Sequence, residues 1–251
     1  MNLFRQSVQS QACFPRKLKH RAQAAVWLVC LVGGLVSGFG SKLQADEFPD
    51  VQEVLEAVRW SATSQPVTLN GRLRDGRERI PFSIEVKPGV VHYRFQDRPG
   101  ALRFRFAENT SFLEEIDGQG QARPADPEKM VAGTSLDQGD LALRFLYWPN
   151  AVIEREETVR TRKCWLIRLR APAQGERYAV VFVWIDQSSG ALMRMDGHDW
   201  EGTLVRRFEV ISGQRIQGRW VLKQMRVQGY QSGRVSGRAY LEISDGAFPE
   251  S

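Results

Sequence analysis

The stretch Val180–Asp186, VVFVWID, decides the fold, because six apolar residues follow one another without a polar one between them. A β-strand with one face in water should alternate, since successive side chains point to opposite faces of a sheet. An unbroken apolar run that ends at an aspartate therefore predicts a strand that is covered on both faces. The identity of the cover on the second face is the question that this stretch raises.

Short β-type segments lie on both sides of this strand in the sequence. Four occur between Val67 and Phe106, and seven, VVFVWID among them, follow Pro149, separated by turns rich in Gly, Asp and Ser. About 11 strands in this arrangement predict a mainly β (α+β) fold built on an antiparallel sheet. We expect the sheet to be strongly curved, an incomplete β-barrel, because a long open sheet leaves edges and an uncovered face.

One helix is predicted before the first strand. Asp50 is placed as its N-cap with Glu53 three residues later, and apolar residues recur from Val51 to Val58 at helical spacing.

The middle of the chain is less regular, and in Met130–Asn150 periodicity fits helix and strand equally well. We favour short helices there, because Asp137 or Asp140 is a suitable N-cap. Asp126-Pro127 predicts a further helix start, with proline at the first helical position.

Residues 1–45 have the order of a secretory signal peptide. A basic segment without acids precedes an apolar run from Ala24 and a stretch of small and polar residues that ends at Ala45. An uncleaved membrane anchor is the alternative, but the run is shorter than the roughly 20 residues of a spanning helix. We therefore predict export to the periplasm and a single domain at residues 46–251.

Removal of the signal changes the net charge. The chain has 35 Lys and Arg against 29 Asp and Glu, and six of the cations lie within residues 1–45. The remaining chain has 29 of each and is formally neutral, so net charge gives no reason to expect nucleic acid binding.

Residues for catalysis are few. After residue 45 the chain has two histidines, His92 and His198, and one cysteine, Cys164. His198 lies among acidic residues in DGHDWEG, but the spacing is that of a hairpin end and not of a metal site. Cys164 precedes the apolar residues WLI, which favours a packed thiol over a nucleophile. We predict no enzyme activity, no metal and no cofactor.

Apolar residues on both faces of the strands leave two interpretations open. Either the sheet encloses a filled core, or its concave face lines an apolar cavity, since one helix and a loose middle segment cover little. The pattern alone favours the filled core.

Three stretches of this sequence resemble the outer-membrane lipoprotein-sorting (LolA/LolB-like) family. Val183-Trp184-Ile185-Asp186, the turn at Gly190, Met193-Arg194 and Asp199-x-x-Gly202 carry the resemblance, and the flanking stretches are Asp140–Pro172 and Ile216–Ile243. Members of the family are similar in fold, with helices forming a lid over an apolar cavity within an incomplete barrel. The resemblance implies short helical lid segments here and a carrier of acyl chains.

The resemblance also implies site residues and partners. An arginine on an early strand holds the lid in the family, which makes Arg72 or Arg74 the candidate lid contact. The candidate acyl-chain contacts are Leu69, Leu73, Phe82, Phe104, Phe106, Phe145, Phe182 and Trp184. Expected partners are lipoprotein or lipid acyl chains, a membrane transporter and an outer-membrane acceptor, with no nucleic acid, and the chain is expected to be a monomer.

The predicted function is therefore a periplasmic carrier that shuttles lipoproteins or lipids toward the outer membrane without covalent catalysis. Two alternatives stay open: an envelope-stress sensor that binds lipoproteins with the same fold, and an exported hydrolase.

Overall fold

A computed structural model describes residues 48–63, 65–96, 99–107 and 110–249. The predicted signal peptide lies outside these residues. The helices are α1 (Val51–Thr63), α2 (Gln138–Ala142) and a 3-10 helix at Arg144–Tyr147. The strands are β1 (Val67–Asp75), β2 (Glu78–Lys87), β3 (Val90–Phe95), β4 (Ala101–Phe106), β5 (Ser111–Ile116), β6 (Ala122–Pro124), β7 (Asn150–Val159), β8 (Arg162–Arg170), β9 (Val180–Asp186), β10 (Leu192–His198), β11 (Leu204–Ile216), β12 (Arg219–Gln231) and β13 (Arg234–Ala247).

All strands within the described residues belong to one antiparallel sheet, and no pairing between its two end strands closes it there. Its order is β6-β5-β4-β3-β2-β1-β13-β12-β11-β10-β9-β8-β7. Two meanders, β1–β6 and β7–β13, meet at the β1–β13 pair. This pair joins the first described strand in chain order to the last one. Two-residue turns such as Gln217-Gly218 and Ser232-Gly233 have positive φ at both positions, which matches the twist of the strands that they connect.

The sheet must curl strongly, because two adjacent residues reach strands that are far apart in its order. Asp137 bonds to Arg206 of β11, and Gln138 bonds to Glu115 of β5. These strands lie seven places apart, which is about 34 Å in a flat sheet at ~4.8 Å per strand. Bulges such as those at Asn70/Gly71 and Gly197/His198 help to bend the strands. The predicted curved, incomplete barrel is confirmed.

The helices agree with the sequence except at one place. Asp50 Oδ1 accepts hydrogen bonds from the backbone of Gln52 and Glu53 and so caps α1. Asp137 caps α2 in a reciprocal capping box with Asp140. The helix start predicted at Asp126-Pro127 is wrong, since Asp126 instead begins a turn in which its carbonyl accepts from Lys129.

The sheet has 13 strands rather than about 11. The two additional strands are β5 and β6, which form the edge beyond β4. β6, the edge strand, has three exposed residues, ARP, and β5, SFLEEI, has polar Glu114 and Glu115 beside each other, so neither shows a clear apolar alternation.

Candidate functional site

The two faces of the sheet carry different side chains. On β9, Val181, Val183 and Ile185 are fully buried and belong to the main apolar cluster. Val183 lies opposite Ile167 of β8 and Met195 of β10, which are buried in the same cluster. We call this side of the sheet the inner face.

Six of the eight predicted acyl-chain contacts lie in this main cluster. Leu73, Phe82, Phe104 and Phe145 are buried, whereas Leu69 and Phe106 are partly buried at its margin. Five of them come from β1, β2 and β4, and Phe145 comes from the 3-10 helix, so the structure brings together residues that are far apart in the sequence.

Phe182 and Trp184 point away from this cluster. Trp184 is buried in a second, smaller cluster with Cys164 and Leu166, and Phe182 packs against it. Trp184 Nε1 donates to Glu157 Oε2 over 2.7 Å, and the Arg194 guanidinium lies over the indole ring. The second face of VVFVWID is therefore covered by side chains of neighbouring strands in its own sheet.

A segment without long helices covers the inner face. We call residues 130–148 the cover. Its buried apolar side chains occupy the interior together with Val54, Leu55 and Val58 of α1, and they are Val131, Leu136, Ala142, Phe145, Leu146 and Trp148. The interior is thus filled by the protein's own side chains in this conformation.

A buried ionic cluster fastens the cover to the sheet. Arg206 of β11 points to the inner face, where its Nη2 lies 3.0 Å from Asp137 Oδ2 and 3.1 Å from Asp140 Oδ2. Its Nη1 donates to the carbonyl of Ser135 over 3.1 Å. Asp137, Asp140 and Arg206 are each exposed by only 3–5%. One guanidinium therefore contacts three residues of the cover, Ser135, Asp137 and Asp140.

Two residues that precede β9 complete this cluster. Arg177 forms an ion pair with Asp137, and the Tyr178 hydroxyl donates to Asp140 Oδ1 over 3.1 Å. Burial raises the pKa of Asp140 to about 7, although Arg206 and the Tyr178 hydrogen bond act in the opposite direction. Burial also raises the pKa of Tyr178 and lowers the pKa of Arg177. Asp140 is therefore a carboxyl that gains and loses its proton near neutral pH.

Glycines on the neighbouring strands make room for the cover. Gly197 of β10 and Gly229 of β12 lie opposite Arg206, and Gly237 of β13 lies opposite Gly229. A Cβ on Gly197 would lie 2.7 Å from the Tyr178 ring, and one on Gly237 would lie 2.9 Å from Ser135 Cβ. Gly237 therefore lets Ser135 of the cover approach the sheet, and Gly197 makes room for Tyr178, which binds Asp140 of the cover.

Further polar contacts hold the cover along its length. The Ser135 backbone donates to Asp75 Oδ2 at the end of β1 over 2.6 Å. On β5, Glu115 accepts from Gln138 and Lys129, and these hydrogen bonds lower its pKa to about 2. Near the other end of the cover, Arg59 of α1 donates to the Leu146 carbonyl. The cover therefore bridges both halves of the sheet.

Arg72 and Arg74, the predicted lid contacts, both bind Glu242 of β13, at 2.7 Å and 3.0 Å. The strand arginine with buried ionic contacts to the cover is instead Arg206 of β11, which sequence reasoning did not identify. A signal was available, because Arg206 precedes Phe208 by two residues and must share its face of the strand. An arginine on the buried face of a strand requires a buried partner.

Two open cavities lie beside the cover. One of about 450 Å³ adjoins the ionic cluster and is lined by Met130, Ser135, Arg177, Asp199, Val205, Arg206, Gly229, Tyr230, Ser236 and Gly237. The other, of about 250 Å³, lies between the cover and β4–β5. None of the eight predicted acyl-chain contacts lines either cavity.

The residues considered for catalysis are buried or bound within a turn. Cys164 is fully buried, and burial raises the pKa of its thiol to about 11. In DGHDWEG, Asp199 Oδ1 accepts from the backbone of Glu201 and Thr203, and a His198 ring nitrogen lies 3.1 Å from the Gly202 carbonyl. Within the described ranges, no group of three or more His, Cys, Asp or Glu side chains is placed to hold a metal ion.

Of the helices in the part of the chain that the structure describes, none has the length and apolar character needed to cross a membrane.

Solved structures with the same fold are distant in sequence. A DUF1329 family protein from Desulfovibrio piger superimposes with a TM-score of 0.60 at 15% identity, covering 78% of this chain and 91% of the other. A LolA superfamily protein from Nitrosomonas europaea gives 0.56 at 14% identity, with 80% and 94% covered. A domain assigned to outer membrane lipoprotein sorting in Vibrio parahaemolyticus gives 0.55 at 11% identity, with 78% and 91% covered.

These similarities confirm the fold that the sequence resemblance implied. No curated protein sequence matches the chain. A family model described as "Uncharacterized protein" matches residues 112–250, which is more than half of the chain and includes the whole cover and the strands β7–β13. The chain belongs to the family that this model describes, and its fold is similar to that of the solved LolA superfamily protein.

Proposed function

We propose that the chain is a periplasmic carrier that binds the acyl chains of lipoproteins or lipids inside its half-barrel and shuttles them toward the outer membrane without covalent catalysis. Binding would occur when the cover leaves the inner face and an acyl chain takes the place of its apolar side chains. A membrane transporter and an outer-membrane acceptor are the partners that such a route requires.

The observation that carries the proposal is the nature of the cover. The inner face is closed by α1 and by a 19-residue segment with two short helices, not by a second sheet. Removal of that segment would expose a continuous apolar surface on a curved sheet. Each methylene of an acyl chain that left water for this surface would contribute about 0.8 kcal/mol, which would offset the loss of contacts with the cover.

Sequence and fold support the same function. The order of charged, apolar and small residues in the first 45 positions favours export. Among the structures with this fold are proteins assigned to the LolA superfamily and to outer membrane lipoprotein sorting.

The proposal can be tested by locking the cover onto the sheet. A Cβ on Gly237 would lie 2.9 Å from Ser135 Cβ, and a disulfide needs about 3.5–4.5 Å, so a small shift would accommodate one. The variant Ser135→Cys/Gly237→Cys, in the chain from Asp46, should bind a fluorescent fatty acid when reduced and lose this binding when oxidised. Cys164 is buried and should not compete for the new thiols.

Ser135→Cys alone is the matched control and should bind equally with and without reductant. Circular dichroism would verify that the oxidised double variant is folded. Lipid extraction from protein purified out of the cell envelope supplies a second measurement, and it should yield bound lipid. Equal uptake by locked and unlocked protein would refute entry beneath the cover, and absence of both uptake and co-purified lipid would refute the carrier function.

A further inference from the structure

A long part of the chain carries positive charge without any acid. Between Glu209 and Glu242 there are six arginines and lysines and no Asp or Glu. Arg226, one of the six, forms an ion pair with Glu209 across the β11–β12 pair. Three others, Arg215, Arg219 and Lys223, are concentrated at the β11–β12 hairpin end, although the chain after residue 45 is formally neutral. Three of the six cations therefore lie within nine positions at one hairpin.

An exposed tryptophan lies among these cations. Trp220 pairs in register with Arg215, whose guanidinium lies 5.1 Å from the centre of the indole ring. The Trp220 side chain nevertheless remains 67% exposed. Arg219 lies over the Phe248 ring in the same way, at 4.5 Å. The end of this hairpin therefore presents aromatic rings and guanidinium groups together.

A second exposed tryptophan belongs to the same end of the sheet. Arg219 Nη1 donates to Gln65 Oε1, in the turn that joins α1 to β1, over 3.2 Å. Trp60, in the last turn of α1, is 68% exposed. Trp60 and Trp220 are the two most exposed large apolar side chains among the described residues. We call Trp60, Arg215, Arg219, Trp220 and Lys223 the basic-aromatic end.

We propose that the basic-aromatic end docks onto the surface of a membrane that contains anionic lipids. Tryptophan is favoured at the level of lipid head groups, because its large ring is apolar and its N–H is polar. Neighbouring arginines and lysines are attracted to anionic head groups, and they can remain in contact with tryptophan rings through cation–π interactions. A binding surface for a compact protein partner would instead gain most from a buried apolar centre.

The other end of the sheet provides an internal comparison. Trp200, in the turn between β10 and β11, is 48% exposed, and Arg234 and Arg238 near the start of β13 are also exposed. Trp200 Nε1 is bound to the Glu176 carbonyl, and acids such as Asp199 and Glu201 lie in the same turn. This end has similar residue types without the same separation of charge, so its variants serve as controls.

The test is co-sedimentation with vesicles of phosphatidylcholine alone or mixed with phosphatidylglycerol. We expect binding to the mixed vesicles, which salt weakens, and little binding to phosphatidylcholine alone. Arg215→Gln, Arg219→Gln and Lys223→Gln should each weaken binding about fivefold. Trp60→Ser/Trp220→Ser should weaken it by about tenfold.

The matched controls are Trp200→Ser and Arg234→Gln/Arg238→Gln, which should bind as the unchanged chain does. Binding should persist when the cover is locked by the Ser135→Cys/Gly237→Cys disulfide, so the result does not depend on acyl-chain uptake. Absence of binding to anionic vesicles would overturn the inference. Equal losses from variants at the two ends would overturn it too, because binding would then reflect total charge alone.

Discussion

Replacement of Arg206 by methionine tests the buried cluster that fastens the cover. Methionine has a similar length but no hydrogen-bond donor, so Asp137, Asp140 and the Ser135 carbonyl would each lose a partner. Arg177 would still bind Asp137, and Tyr178 would still bind Asp140. Removal of one partner from a buried ion pair costs about 3–5 kcal/mol. We expect the lower end of this range at pH 8, because part of the cluster survives.

The loss should be smaller at acidic pH. Burial raises the pKa of Asp140 from 3.8 in a reference carboxyl to about 7, so the folded chain holds this proton more tightly than the unfolded chain does. The contribution of Asp140 to stability is therefore present below about pH 4 and is lost as pH rises toward 7, in total ~4 kcal/mol. At pH 5.5 Asp140 is neutral with or without Arg206, so the substitution then removes less.

Urea denaturation followed by tryptophan fluorescence at pH 5.5 and pH 8 measures both quantities. Arg72→Met is the matched control, because Arg72 is 56% exposed and Glu242 would keep Arg74 as a partner. This control should lose less than about 1 kcal/mol at either pH. An Arg206→Met variant as stable as the unchanged chain at pH 8 would refute the reasoning. A loss that is larger at pH 5.5 than at pH 8 would refute the assigned titration of Asp140.

The packing leads to two further predictions, one for glycine substitutions and one for the reactivity of Cys164. Gly197→Ala should destabilise the chain by about 1–3 kcal/mol, because its methyl group would collide with the Tyr178 ring. Gly213→Ala, where the nearest neighbour lies at 3.4 Å, should cost less. Urea midpoints compare the two variants directly, and equal midpoints would contradict the close approach of Tyr178 to Gly197. Cys164 should resist a thiol reagent at pH 8 in the folded chain and react after unfolding. The reason is that the thiol is buried and its pKa is raised to about 11. Rapid stoichiometric labelling of the folded protein would contradict this prediction.

The strands could be predicted well where apolar residues mark a buried face. The 11 segments predicted from the sequence are all strands, because each has a face that packs in the interior or in the second cluster. β5 and β6 were missed because they are short and lack a clear apolar alternation, so they are defined by backbone pairing, β5 with β4 and β6 with β5. Pairing of that kind leaves almost no trace in the sequence.

The site was less predictable because it depends on register. The alternation within VVFVWID assigns Phe182 and Trp184 to one face and Val183 to the other, but only the pairing with β8 and β10 shows which face is the interior. A shift of one residue would exchange them. The contact between Arg206 and Asp140 is likewise invisible in the sequence, because 66 positions separate these residues and only the curl of the sheet brings them together.

Attachment of the cover by buried charged groups should make the cover easier to displace than attachment by apolar contacts would. A buried ion pair contributes little net stability, because its attraction is largely offset by the loss of hydration. If the cover left the inner face, as the proposed function requires, Arg206, Asp137 and Asp140 would regain water, and this hydration would offset the attraction that is lost. The apolar side chains of the cover would gain nothing from water, but in the proposed carrier a bound acyl chain would replace their contacts with the sheet. A cover held by buried charges and by apolar contacts of this kind would thus be easier to displace than a core packed by apolar contacts alone.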